Sequence, residues 1–229
     1  MRRAIALYSG GKDSHYSLLL SFYQGLVPEA LVIVEPSRDD SWLFHAVNTR
    51  WAKLHGEIMG LPVYTIPVSG LKDLEYVEFK AGLEKVLRRY PNADYVIVGA
   101  VRSRFQLEKF RALTEELGVS LYAPLWGHNE LSLLKKEVEE LGFIVTAVQA
   151  YCLDLEILGN PDVSEVLHSI LRAHRECGVS PVGEGGEFET FVVRSPMFKG
   201  KGVAIHRARK LLYPTMSTGY YVIDQASIL

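Results

Sequence analysis

Six residues near the start, Ser9-Gly10-Gly11-Lys12-Asp13-Ser14, narrow the folds open to this chain more than any other stretch. They follow the apolar run Ala4-Ile5-Ala6-Leu7-Tyr8 and precede Tyr16-Ser17-Leu18-Leu19-Leu20, a helix-forming stretch. A strand that feeds a helix through such a loop collects unpaired backbone N–H groups and the positive end of a helix dipole at one point, which favours an anion. Paired glycines keep Cβ atoms away from an oxygen-rich group, and Ser9 and Ser14 add hydroxyl donors. A plain Gly turn capped by Asp13 or Ser14 is the simpler alternative. The coincidence of two serines, two glycines, a lysine and an aspartate at one junction favours phosphate binding. The loop is not a Walker A loop, which needs Gly where Ala6 stands and Ser or Thr where Asp13 stands, so kinase-type γ-phosphoryl transfer loses support.

Short β-branched runs at residues 3–8, 30–34, 63–66, 95–98 and 120–122 alternate with stretches of helical period, which predicts an α/β fold with a doubly wound, parallel five-stranded sheet. Leu43, Val47, Trp51, Leu54 and Ile58 recur at helical spacing, and a further helix over 104–117 turns Phe110, Leu113 and Leu117 inward before Gly118 ends it. After Pro124 the rhythm changes to a helix at 130–141, a strand at 143–148, a helix at 163–176 and a Gly-rich, strand-like remainder. We expect a first domain over 1–126 and a smaller α+β domain over 127–229.

With 25 basic against 27 acidic residues there is no broad cationic field, which argues against general nucleic-acid or membrane affinity. No stretch approaches the roughly 20 apolar residues of a membrane span, and the first residues are too short in apolar content for a signal peptide; the chain reads as cytoplasmic. Cys152 and Cys177 lack CxxC spacing or a His cluster and read as ordinary thiols rather than a zinc or redox site. The basic stretch from Lys199 to Lys210 reads first as solvated charge, with docking of a protein partner as the other reading. Nothing in the sequence decides oligomeric state.

Three further segments carry chemistry. Residues 40–48, with Ser41, Phe44, His45 and Asn48, lie between the second strand and its helix. Gly99-Ala100-Val101-Arg102-Ser103-Arg104-Phe105-Gln106 follows the fourth strand, at the sheet edge where ligands of such folds collect. Gly183-Glu184-Gly185-Gly186-Glu187-Phe188-Glu189-Thr190 sets three carboxylates around a flexible turn, a pattern that suits cation capture or general-base work. Each also has a plain reading, as a cap, a solvated helix start and an exposed acidic turn.

The loop resembles the SGGxDS motif of the N-type PP-loop ATP pyrophosphatases, whose fold is HUP-like. In order and spacing, Ser9–Ser14, Asp40–Asn48, Gly99–Gln106, Ala123-Pro124-Leu125-Trp126-Gly127 and Gly183–Thr190 are similar to the diphthine–ammonia ligase family, over residues 9 to 190. Ala46-Val47 and Arg104-Phe105 depart from the family's Thr-Pro and Asp-Tyr. The resemblance implies that ATP is split at the α-phosphate to activate a carboxylate, and that diphthine on translation elongation factor 2 is amidated by free ammonium. It implies ATP binding by Ser9, Gly10, Gly11, Lys12, Asp13, Ser14, Gly99, Ala100 and Ser103, with Mg2+ on Asp13. Lys12, Asp13, Glu184, Glu187 and Glu189 would be catalytic, Lys12 by neutralising developing charge. Ser41, Phe44, His45, Asn48, Arg102, Gln106, Trp126, Glu184, Gly185, Gly186, Glu187, Glu189 and Thr190 would hold substrate, with Trp126, Phe188 or Tyr122 facing the diphthine cation. The rivals are a PP-loop tRNA-modifying ligase and a non-catalytic ATP-binding regulatory module.

Overall fold

The structure, a computed structural model, describes residues 2–37 and 48–229. The chain divides into two compact units, Met1–Ser9 with Asp13–Trp126, and Gly10–Lys12 with Gly127–Leu229. A contiguous division between residues 126 and 127 therefore does not describe Gly10–Lys12, which cluster with the second unit.

In the first unit, β1 (Arg2–Leu7), β2 (Leu26–Pro36), β3 (Val63–Val68), β4 (Ala93–Ile97) and β5 (Ser120–Tyr122) form one sheet in the order β3-β2-β1-β4-β5, every neighbouring pair parallel. Ala4 through Leu7 and Leu31 through Val34 are buried without alternation, as strands covered on both faces must be. The crossovers are α1 (Lys12–Tyr23), α2 (Ala52–Met59), α3 (Lys72–Leu87) and α4 (Arg104–Glu116). The chain winds outward from β1 to β3, then returns to lay β4 on the other side of β1. The C-terminal ends of β1 and β4 therefore flank the topological switch point, where open α/β sheets bind ligands.

Three expectations need adjustment. Strand β2 starts at Leu26, four residues earlier than the β-branched run, because its pairing with β1 runs through an irregularity near Pro28. Helix α3 is an element that the periodicity did not give. Its apolar residues are split between a buried face, Phe79, Leu83 and Val86, and exposed Leu74 and Val77, which blurs the stripe. The stripe beginning at Leu43 and Val47 lies outside the described residues. Beyond it, Trp51 closes a 3-10 turn and α2 buries Ile58, as the stripe expected, together with Ala52, His55 and Gly56, while Trp51 and Leu54 are half-buried.

The second unit contains α5 (Glu130–Glu140), β6 (Gly142–Gln149), α6 (Val163–Cys177), β7 (Phe188–Arg194), β8 (Val203–Tyr213) and β9 (Thr218–Ile228). The four strands make an antiparallel sheet in the order β7-β6-β9-β8. Asn129 caps α5 by accepting from Ser132 N at 3.0 Å, and Asp162 caps α6 by accepting from Ser164 N at 2.9 Å.

Cys152 and Cys177 are joined in a disulfide, with Cα atoms 6.5 Å apart, which corrects the reading of both as ordinary thiols. The fold brings the last residue of α6 to the turn after β6, a juxtaposition that no spacing rule announces. Cross-linking residues 25 apart removes about 3.5 kcal/mol of unfolded-chain entropy on the chain-entropy model. Among the described residues no helix is long and apolar enough to cross a membrane.

Candidate active site

The residues of the loop after β1 are divided between the units, Ser9, Asp13 and Ser14 belonging to the first and Gly10–Lys12 to the second. On the first unit, Ser9 N donates to Ser14 Oγ at 3.3 Å, and the two hydroxyls share a hydrogen bond of 3.0 Å, closing the loop ends on each other. Asp13 and Ser14 stand in the first turn of α1, at the positive end of its dipole. Gly99, just past β4, lies so close that a Cβ there would come within 2.9 Å of Ser14 N and Cα. The ends of β1 and β4 thus meet at the switch point, and Gly99 is the residue that lets them.

Beneath the loop, Tyr8 OH contacts His15 Nδ1 at 2.5 Å and His55 Nδ1 at 2.8 Å, with all three side chains buried. One phenolic hydrogen serves only one acceptor, so one imidazole accepts from Tyr8 and the other donates Nδ1–H to it. Burial pushes the His15 pKa well below the usual histidine value, and repulsion from His55 adds to the effect. Burial likewise pushes the Tyr8 hydroxyl up. Tyr8 and His15 flank the loop, so this cluster fixes both its ends. His55 went unnoticed in the sequence because it sits one position off the apolar stripe of α2; the signal was its helical spacing to Ala52 and Ile58.

A pH dependence follows. A histidine whose folded pKa is depressed binds fewer protons folded than unfolded, so its contribution is intact above about pH 6.5 and is lost as pH falls below it, at about 1.4 kcal/mol per pH unit for one proton. Urea midpoints measured between pH 7.5 and 5 are expected to fall, and a His15→Gln variant to fall less steeply. Equal slopes would remove His15 from the account.

On the second unit, Gly10 takes a φ of 85°, which favours glycine, and its carbonyl accepts from Val192 N at 2.9 Å. Lys12 N donates to Thr190 Oγ1 at 3.0 Å. The Lys12 ammonium is 1% exposed; it donates to Val182 O at 2.9 Å, stands 3.2 Å from Glu137 Oε2 and lies 5.8 Å above the Phe188 ring. Lys12 was expected to neutralise phosphate charge; in the structure its ammonium contacts Glu137 and Val182 O. Glu137, absent from the sequence reading, lies 125 positions away and shows no motif.

The acidic segment sorts itself in the same way. Glu187 accepts from Ser180 N at 3.0 Å through Oε1 and from Gly185 N at 2.8 Å through Oε2, so its carboxylate braces the turn. Ser180 Oγ in turn donates to Glu130 Oε2 at 2.8 Å. Glu184, Gly186 and Glu189 are half-buried and Gly185 is exposed. Thr190 holds the loop through Lys12 N, a structural task that its expected substrate role did not include.

Other expected residues fall elsewhere. Ala100 belongs to the buried core of the first unit with Val98 and Leu107. The Ser103 hydroxyl caps α4 by accepting from Gln106 N at 3.3 Å. Arg102 is exposed and Gln106 half-buried. Trp126 packs against the core of the first unit, Tyr122 OH donates to Gln24, and Phe188 is under Lys12, so each of the three aromatics has another partner. Asn48 is buried in the left-handed region, with φ 61°; Ser41, Phe44 and His45 lie outside the described residues. Among the described residues no three His, Cys, Asp or Glu side chains gather as a metal site.

Known proteins carry the same two halves in the same order. Residues 1–121 match the family model described as diphthamide synthase N-terminal domain, and residues 129–229 match the diphthamide synthase C-terminal domain. The chain is 30% identical over 216 residues to diphthine–ammonia ligase of Danio rerio, covering 87% of this chain and 85% of that one. It is 29% identical over 218 residues to the protein of that name from Rattus norvegicus, covering 87% and 81%. The Homo sapiens protein of that name is 27% identical over 223 residues, covering 87% and 81%. With both halves matched, and with the loop after β1 and the acidic turn before β7 each falling inside its own half, the chain belongs to the diphthamide synthase family.

Proposed function

We propose that this protein is an ATP-dependent carbon–nitrogen ligase that amidates the carboxylate of diphthine with ammonium, on translation elongation factor 2. The observation that carries the reading is the loop at the switch point, closed by Ser9 and Ser14 and given room by Gly99. A carboxylate oxygen of diphthine attacks the α-phosphorus, the bond to the bridging oxygen of the β-phosphate breaks, and pyrophosphate leaves. Ammonia, formed when ammonium gives up a proton, then attacks the acyl carbon; AMP departs, a second proton is lost and the amide remains.

The loop backbone and the Ser9 and Ser14 hydroxyls support the departing pyrophosphate, and preorganised donors of this kind lower the cost of developing charge. Asp13 would hold Mg2+, which supplies charge neutralisation at the phosphates. Glu184 and Glu189 are the carboxylates we assign to the diphthine cation and to ammonium. Lys12, Glu187 and Thr190 keep the loop and turn in shape, Lys12 without neutralising phosphate. We place the reaction in the cytoplasm.

The test is a mixture of protein, ATP, ammonium and diphthine-bearing elongation factor, analysed for nucleotide products and for the amide by mass spectrometry. AMP, pyrophosphate and amide are expected together, with Asp13→Ala lowering the rate by about 10²–10³ at unchanged thermal midpoint. Release of ADP would sink the scheme. Pyrophosphate release on tRNA, or nucleotide binding without any turnover, would move the chain to one of the two rival readings.

A further inference from the structure

Strand β8 is the edge of the second sheet, so among the described residues one side of its backbone from Val203 to Tyr213 has no strand partner. Its exposed side chains change character along its length. Arg207, Arg209 and Lys210 are cations, and Asp224 is the carboxylate that meets two of them, at 3.5 Å from Arg207 Nε and 2.9 Å from Arg209 Nε. Beyond Lys210 the hairpin tip becomes apolar and exposed, with Leu211 at 38%, Leu212 at 47%, Tyr213 at 48% and Met216 at 72%. A contiguous apolar tip beside surplus positive charge is costly to leave in water and is a mark of an interaction surface.

The tip is continuous with the acidic turn. Tyr213 pairs with Thr218, Thr218 pairs with Gln149 of β6, and Gln149 N donates to Glu187 O at 2.7 Å. Gln149 Nε2 also donates to Tyr220 OH at 2.7 Å, which ties the end of β6 to the hairpin a second time. Three residue steps therefore separate the tip from the segment to which the substrate cation is assigned above.

A second copy of this chain fits the surface poorly. Edge-to-edge pairing about a twofold axis would set the cations of β8 against the same cations of its copy, and like charges on facing strands destabilise the pair. An occupant with carboxylates and some apolar surface fits both parts. Resting on the ligase reading, we infer that the cationic edge and apolar tip of the β8–β9 hairpin dock the protein that carries diphthine, through an acidic segment of that protein bearing apolar side chains.

Two variants on exposed positions test this: Tyr213→Ser/Met216→Ser at the tip and Lys210→Glu on the edge. KM is measured for the diphthine-bearing protein and for a short diphthine peptide, with oligomeric state by sedimentation. Each variant is expected to raise KM for the protein by about tenfold, leaving the peptide KM, the limiting rate and the thermal midpoint as in the wild type. Added salt is expected to weaken the protein substrate's binding to the wild type more than to Lys210→Glu. An unchanged protein KM in both variants overturns the proposal, as does a shift in oligomeric state, which would assign the tip to a second copy. Wild-type protein that turns over neither peptide nor protein would overturn the ligase reading instead, and would do so before either variant is made.

Discussion

Replacing Glu137 with leucine is expected to cost about 3–5 kcal/mol of stability, while replacing Glu137 and Lys12 together, as Glu137→Leu with Lys12→Met, restores most of it. The Lys12 and Glu137 side chains are 1% and 0% exposed, so removing the carboxylate leaves an ammonium in a low-dielectric interior without the Glu137 charge, beside the Val182 carbonyl and the Phe188 ring. Removing both charges abolishes that penalty and leaves the lost donor to Val182 O, about 1 kcal/mol. Urea unfolding of the two variants beside wild type measures this directly, and a wild-type midpoint for Glu137→Leu would refute the buried pair. The double variant also reports on function. If Lys12 is a brace, its loop is still held by Val192 N on Gly10 O and by Thr190 on Lys12 N, so pyrophosphate release is expected to persist in the refolded double variant. Complete loss of release at restored stability would return Lys12 to the phosphates.

The contrast between what the residues announce and what they conceal follows the range of the interactions. The parallel sheet was legible because strands buried on both faces must be continuously apolar, as Ala4–Leu7 and Leu31–Val34 are. The phosphate loop was legible because its parts are adjacent in sequence. Local order, however, does not say where a long side chain goes. Lys12 sits in the motif yet serves Glu137, and Glu187 sits in an acidic cluster yet accepts from two backbone N–H groups. For Lys12 burial decided the role, because a charge removed from water takes the nearest partner that compensates it, whereas half-buried Glu187 is held by backbone N–H groups a few residues away. The Tyr8–His15–His55 cluster and the Cys152–Cys177 bond are likewise contacts between separate segments, set by the packing of helices that periodicity places only to within a residue or two.

Gly99→Ala is expected to lower kcat/KM for ATP by a hundredfold or more, about 3 kcal/mol, with a much smaller loss of stability. The added methyl would meet Ser14 Cα and N at 2.9 Å and Asp13 C at 3.0 Å, all backbone atoms, so no side chain can swing aside to admit it. Relief requires the end of β4 or the first turn of α1 to move. That turn carries Asp13 and Ser14, and displacement of a positioning group by about 1 Å costs on the order of 10² in rate. Gly118→Ala serves as the opposite case: no atom lies within 4 Å of its added methyl, but its φ of +71° strains any L residue. That variant is expected to lose about 1 kcal/mol of stability and keep its ATP kinetics. The two substitutions therefore separate steric crowding of the loop from backbone strain remote from it. Gly99→Ala with wild-type kcat/KM for ATP would mean that the junction of β1 and β4 is not where the nucleotide is held, whatever the stability of the variant.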